Sequence, residues 1–219
     1  MKNKELYRVA TQTALDNAFD IFEEAALLYD KEKYPRAFAL CMLSLEELTK
    51  SFIYRCVSVG LIEEKGINII LRDHTEKIIN SGHLMTFTIL FVKHSDELNK
   101  AIEHDRKHED HKDHIYTQVL GMRGLESANE VIETLKDAQE IKLDTIYVDV
   151  RRGKIINPKE VITKSKIHKA FSNAGLVLGL MKPLLESNDD QFTTDTTNFL
   201  SPTVEGIKMD IKNRLAKKK

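Results

Sequence analysis

The sequence predicts an all-α protein that contains one small β-hairpin or extended loop. Three observations support this fold class. Apolar residues recur at i, i+3 and i+4 over long stretches, which is the spacing of one face of a helix. The 219 residues include only 9 glycines and 4 prolines, so the chain offers few turn signals. Clear alternation of apolar and polar residues is confined to residues 146–156.

Two long helices are predicted at the start of the chain. Helical spacing runs from Lys4 to about Asp30. Pro35 then favours the first turn of a second helix, which extends to Val59 and ends at Gly60. Because the connection is short, we expect the two helices to pack antiparallel.

The middle of the chain reads as further helices. One is predicted around residues 72–79. Residues 83–110 favour a helix, although the apolar run "LMTFTILFV" near their start also permits a strand, and residues 115–144 favour a further helix with a weak point at Gly121 and Gly124. The alternation of Ile146, Val148 and Val150 then predicts the hairpin or extended loop. Pro158 opens the last long helix, which we expect to continue to about Glu186.

The chain is predicted to form one helical domain, residues 1–186, followed by a C-terminal tail, residues 187–219. Residues 187–206 are polar and rich in turn-forming side chains, so we expect a loop or linker there. The final segment, "GIKMDIKNRLAKKK", predicts a short basic amphipathic helix.

Composition limits the classes of function. The formal charge of −1 excludes a global basic field that would attract nucleic acid, although a local basic patch stays possible.

The two cysteines indicate a reducing compartment. Cys41 and Cys56 would lie roughly 22 Å apart on one helix at 1.5 Å per residue, which is too far for a disulfide and fits a reducing cytoplasm. The chain start lacks a signal-peptide pattern and no apolar run is long enough to span a bilayer, so we expect no membrane partner.

The stretch "CMLSLEELTKSFIYRC" places charges inside an apolar helix. Glu46 and Lys50 are spaced i, i+4, and Glu47 and Lys50 are spaced i, i+3, so both carboxylates can reach the ammonium. A buried carboxylate must be paired, because an isolated buried charge is very unfavourable. Two interpretations stay open, an ordinary solvated pair and an internal polar site.

Two histidine-containing stretches follow. In "RDHTEK", His74 and Lys77 share a helical face, and a histidine can serve as general acid or base near neutral pH. The alternative is a surface histidine on a charged helix. His104, His108 and His111 have a spacing that metal sites use, but residues 103–114 contain no hydrophobic side chain, which is typical of a solvated segment. We therefore expect no physiological metal, and the absence of a phosphate loop or Cys-x-x-Cys motif predicts no cofactor.

Three motifs together resemble one family. They are "SLEELTKSF" (residues 44–52), "RDHTEKI" (residues 72–78) and "LDTIYVDVRRGKIINP" (residues 143–158), in that order. This combination resembles the AbiV abortive-infection family, a branch of the all-α HEPN superfamily, and the resemblance covers most of residues 5–185. The implied fold is a HEPN-like helical bundle, and the implied function is phage defence by arrest of growth or translation in the infected cell.

The resemblance also implies chemistry and partners. Many HEPN domains are metal-independent ribonucleases that act as homodimers, so RNA is the implied substrate and a phage protein a candidate activator. The usual signature is an arginine, four to six residues and a histidine, which only Arg106 and His111 match, within the hydrophilic run. The stronger candidates are His74 as acid or base and Lys50 and Lys77 as phosphate-binding cations. Glu46 and Glu47 would position Lys50 or tune the protonation of His74.

A second interpretation is a non-catalytic interaction or nucleotide-binding module. In that case the polar cluster on the second helix would fix helix packing instead of performing chemistry. A sealed, fully paired cluster would favour this alternative, and an open groove would favour the ribonuclease.

Overall fold

The structure is a computed structural model that describes residues 3–72, 141–151 and 153–216. The helices are α1 (Lys4–Asp30), α2 (Tyr34–Val59), α3 (Ile67–Arg72), α4 (Pro158–Val161), α5 (Lys164–Glu186), α6 (Asp189–Phe199) and α7 (Ser201–Ala216). The strands are β1 (Asp149–Arg151) and β2 (Lys154–Ile156), and residues 141–146 are helical. The prediction of an all-α fold with one small hairpin is confirmed for the described residues.

Helices α1 and α2 pack antiparallel, as predicted. The Ser44 hydroxyl donates to the Ala18 carbonyl at 2.7 Å, and the Ser51 hydroxyl donates to the Thr11 carbonyl at 2.9 Å. Contacts along α2 therefore meet successively earlier residues of α1. The left-handed conformation of Gly60, with φ of 83°, ends α2 at the predicted position.

Helix α2 is the central element of the fold. It contacts α1, α4, α5 and α6, so most of its surface faces other helices. Its side chains are accordingly buried on nearly every side, and the fully buried Phe52 lies at the centre of the core. This environment makes every charged side chain on α2 energetically important.

Strands β1 and β2 form an antiparallel hairpin. Val150 pairs with Ile155, and Gly153 adopts a φ of 75° in the tight connection, where glycine is favoured. The apolar side chains of Val148, Val150 and Ile155 are 67–71% exposed. The hairpin thus projects from the described core instead of joining it.

The last long helix differs from its prediction, because it is divided in two. Thr163 has an extended backbone and its hydroxyl accepts a hydrogen bond from the Lys166 amide, so it caps the start of α5. Asn157 caps α4 in the same way through the Lys159 amide. Two capping side chains therefore produce two helices where apolar spacing alone predicted one.

The loop expected at residues 187–206 is wrong, because these residues form α6 and the start of α7. The Asn188 side chain accepts from the Gln191 amide, and Asp189 and Asp190 lie in the first turn, where carboxylates favour a helix N-terminus. Phe192 and Thr196 are buried on one face. The domain boundary at residue 186 stays a prediction, although residues from both sides share one hydrophobic cluster.

Both cysteines are buried and free. Burial raises the pKa of the Cys41 thiol to about 12 and raises that of Cys56 as well. These thiols are therefore protonated and unreactive at neutral pH.

Within the described ranges, no helix combines the length and hydrophobicity that a membrane crossing requires.

Candidate functional site

Glu46, Glu47 and Lys50 of α2 belong to two separate ion pairs instead of forming one cluster. Consecutive residues on a helix point about 100° apart, so Glu46 and Glu47 lie on different faces. Glu46 is only 1% exposed, and its Oε1 atom lies 2.5 Å from the Nζ atom of Lys142, which is also buried. This contact joins α2 to the helical residues 141–146 across 96 positions of sequence.

The Glu46–Lys142 pair is sealed from solvent. Two opposite charges in a low-dielectric interior stabilise each other only while both are present, and removal of either one leaves an uncompensated charge. Lys142 lies just before the hairpin in the sequence. Its contact with Glu46 therefore fixes the position of the segment that leads into β1. Its geometry is that of a structural contact, since neither side chain is accessible to a substrate.

The second pair, Glu47 and Lys50, is more accessible. The two side chains form a close i, i+3 ion pair and are 19% and 23% exposed, respectively. The ammonium of Lys50 is therefore held in place by Glu47 and still reaches solvent. An ammonium in this state can bind a phosphate or other anion.

The neutral polar residues of the same stretch serve helix packing. Ser44 and Ser51 donate across the interface to α1, and Thr49 donates to the Leu45 carbonyl of its own helix at 2.9 Å. These hydroxyls therefore satisfy backbone acceptors near the charges. Their contribution is to fix the position of α2 against α1.

A second polar centre lies where α1, α2 and α6 meet, and sequence reasoning missed it. The buried Arg55 donates to the Asp189 carboxylate at 2.8 Å and to the Ser187 carbonyl at 2.6 Å. Arg8 and Lys4 reach the other oxygen of Asp189 at 2.6 and 2.7 Å. We call these four side chains and the Ser187 carbonyl the Asp189 clasp, because they tie the C-terminal segment to the first two helices.

The electrostatics of the clasp favour an ionised carboxylate. Hydrogen bonds from Arg8, and then from Lys4, lower the pKa of Asp189 well below its ordinary value. Arg55 also stacks over the Phe192 ring, with its guanidinium carbon 5.0 Å from the ring centroid. The sequence signal that could have indicated this centre is the lone arginine within the apolar stretch "SFIYRC".

The remaining predicted site residues lie outside the described residues. They are His74, Lys77, Arg106 and His111, together with the rest of the histidine run. In the ranges that the structure covers, no three histidine, cysteine or acidic side chains gather as metal ligands would. The structure therefore positions Glu46, Glu47 and Lys50 and does not test the roles assigned to them.

Comparison with known proteins identifies the family. The family model described as AbiV matches residues 6–179, which include α1, α2, the hairpin and most of α5. No curated protein and no solved structure matches the chain. The matched region ends before α6 and α7, so the Asp189 clasp is formed partly outside it. The chain belongs to the AbiV family of HEPN-type abortive-infection proteins.

Proposed function

We propose that this protein is a toxin of phage defence that arrests the growth of infected cells by metal-independent cleavage of RNA. Membership of the AbiV family supports the defence role. The observation that carries the proposal is the Glu47–Lys50 pair, a partly exposed charged pair on the largely buried central helix.

The chemistry requires three groups. A base must take the 2′-hydroxyl proton, an acid must protonate the leaving oxygen, and a cation must stabilise the negative charge that develops on phosphorus. Lys50 is suited to the cationic role, with Glu47 holding its ammonium in position. His74, which follows α3 by two residues in the sequence, is our candidate for the acid or base, and Lys77 for a second cation.

Glu46 has a different role in this proposal. Because it is sealed with Lys142, we assign it to positioning and not to contact with substrate. It would hold α2 and the helical residues 141–146 in a fixed arrangement around the open pair. Arg106 and His111 remain the alternative catalytic pair.

We further propose a homodimer. Apolar side chains are exposed on the two other long helices, α1 and α5. They are Leu6 and Val9 on α1 and Leu176 and Leu180 on α5. Such surface favours association with a second copy. Light scattering at micromolar concentration should give about twice the 25.1 kDa of one chain, and a mass of one chain would contradict the dimer.

The rival function is a non-catalytic interaction module. The sealed Glu46–Lys142 pair and the packing role of Ser44 and Ser51 favour it, since they show that much of the polarity on α2 serves packing. Under this alternative Lys50 affects function only through stability.

The test measures growth and RNA integrity after induced expression in cells. We expect the wild-type chain to arrest growth and degrade RNA, and His74→Ala to abolish both while its melting temperature stays unchanged. The matched control is His168→Ala, an exposed histidine on α5 whose Nδ1 lies 3.2 Å from the Tyr29 hydroxyl, and this variant should remain toxic.

Two outcomes would contradict the proposal. A folded His74→Ala variant that stays fully toxic would remove His74 from the mechanism. Growth arrest without any RNA loss in the wild type would favour the interaction module.

A further inference from the structure

A groove separates α7 from the loop between α2 and α3. Its volume is about 990 Å³. It is lined by residues 60–63 and Lys65 on one side and by Lys208, Ile211, Lys212, Leu215 and Ala216 on the other. Because α7 lies beyond residue 179, this groove includes structure outside the family-matched region.

The groove is locally basic in a chain whose net charge is −1. Lys65, Lys208 and Lys212 line it, against a single carboxylate, Glu63. Lys208 pairs with Glu205 at 2.7 Å, whereas Lys65 and Lys212 have no ion pair in the part of the chain that the structure describes. Two ammonium groups are therefore available for an anionic ligand.

The floor of the groove is apolar and closely packed. Ile62 and Ile211 are buried beneath the lysines. Gly66 has a φ of 95°, and a Cβ atom at this position would lie 2.7 Å from the Ile211 side chain. Glycine at position 66 therefore allows α7 to pack closely against the loop. As a result Lys65 of the loop and Lys208 and Lys212 of α7 line the same groove.

We propose that this groove binds the phosphate backbone of single-stranded RNA. The inference rests on the proposed function, and it assigns a binding surface for the RNA apart from the Glu47–Lys50 pair. Lysines above an apolar floor suit phosphates and the sugar rings between them. The lining has no aromatic side chain on which bases could stack, so binding is independent of sequence.

A membrane surface is a weaker candidate for the same lysines. An amphipathic helix binds a bilayer by inserting its apolar face. In α7 that face, which includes Val204, Ile207 and Ile211, is buried against the protein. This face is therefore not free to insert, and a concave groove suits a strand better than a lipid surface.

The test is fluorescence anisotropy of a labelled 20-nucleotide RNA with the full chain. The RNA carries 2′-O-methyl groups, which block attack by the 2′-hydroxyl, so binding is measured without cleavage. The variant Lys65→Gln/Lys212→Gln removes both unpaired ammonium groups. The control Lys166→Gln/Lys169→Gln makes the same charge change at two exposed lysines of α5.

We expect the groove variant to lose affinity and the control to keep it. Each phosphate contact with a single strand contributes about 0.7 to the slope of log K against log salt, so the slope should fall by about 1.4 and the affinity roughly 25-fold at 0.1 M salt. An equal loss in both variants would overturn the proposal, because charge alone would then explain binding. No binding by the wild type would also overturn it, as would lysine-dependent binding to phosphatidylglycerol vesicles without binding to RNA.

The failure of this proposal is distinguishable from failure of the proposed function. If the groove variant binds RNA normally while His74→Ala loses toxicity, the groove is wrong and the ribonuclease stands. If the groove binds RNA while His74→Ala and Lys50→Ala stay toxic and folded, the catalytic assignment is wrong and the groove stands.

Discussion

Glu46 and Glu47 are neighbours in the sequence, yet they occupy opposite kinds of environment. Glu46 is sealed in the interior with Lys142, a residue 96 positions away, while Glu47 pairs with Lys50 on its own helix at a partly open surface. One residue step on a helix, about 100°, separates the two. One charged stretch of helix therefore contains both a buried packing contact and a partly exposed ion pair.

Removal of Lys142 should give the largest change in stability. Lys142→Ala breaks the buried ion pair with Glu46, and breaking a buried pair costs about 3–5 kcal/mol of unfolding free energy. Urea denaturation measures this loss. The double variant Glu46→Leu/Lys142→Met should recover most of it, because apolar side chains of similar volume replace both charges. A loss no greater than that of Lys50→Ala would contradict the sealed pair.

The Asp189 clasp allows the same comparison between a buried and an exposed partner, because two arginines bind one carboxylate. Arg55 is buried and also holds the Ser187 carbonyl, while Arg8 reaches Asp189 from the exposed side. We expect Arg55→Ala to lower the unfolding free energy by about 1.5–3 kcal/mol, the range for hydrogen bonds to charged groups. Arg8→Ala, the matched control, should cost less than about 1 kcal/mol.

Proteolysis provides a second measurement for the clasp. If Arg55 ties α6 to the core, Arg55→Ala should be cut faster than the wild type within residues 187–216. Equal cutting rates in Arg55→Ala and Arg8→Ala would show that the clasp does not secure this segment.

The ionisation of Asp189 should make the clasp sensitive to acid. Its pKa is lowered in the folded protein, so its stabilisation is present above the ordinary value of 3.8 and is lost as pH falls below it. Between pH 5 and pH 3 this loss amounts to about 1 kcal/mol. Thermal melts of wild type and Asp189→Asn should therefore converge at low pH. A constant difference between them across this range would contradict the assignment.

Much of the fold could be predicted from the sequence. The positions of α1, α2 and the hairpin follow from local features of the sequence. Apolar spacing, Pro35, Gly60 and the alternation around Val148 each determine structure within a few residues of themselves. Helix α6 was missed because its buried stripe consists of one phenylalanine and one threonine, a pattern too weak beside its polar composition. The break at Thr163 was missed because capping depends on one hydroxyl.

The candidate site was predictable only in part. Spacing allowed both Glu46 and Glu47 to reach Lys50, and the structure pairs Lys50 with Glu47, a contact local to one helix turn. Spacing could not identify Lys142 as the partner of Glu46, or Asp189 as the partner of Arg55, because these pairs exist only after distant segments fold together. His74 and Lys77 stay predictions.

The most direct test of the account compares stability and growth arrest in Lys50→Ala. Because Glu47 is partly exposed, loss of its partner should cost less than about 1 kcal/mol of unfolding free energy. We predict a variant with nearly wild-type unfolding free energy that no longer arrests growth or degrades RNA. A Lys50→Ala variant that is folded and fully toxic would contradict the claim that the open pair on α2 carries the function.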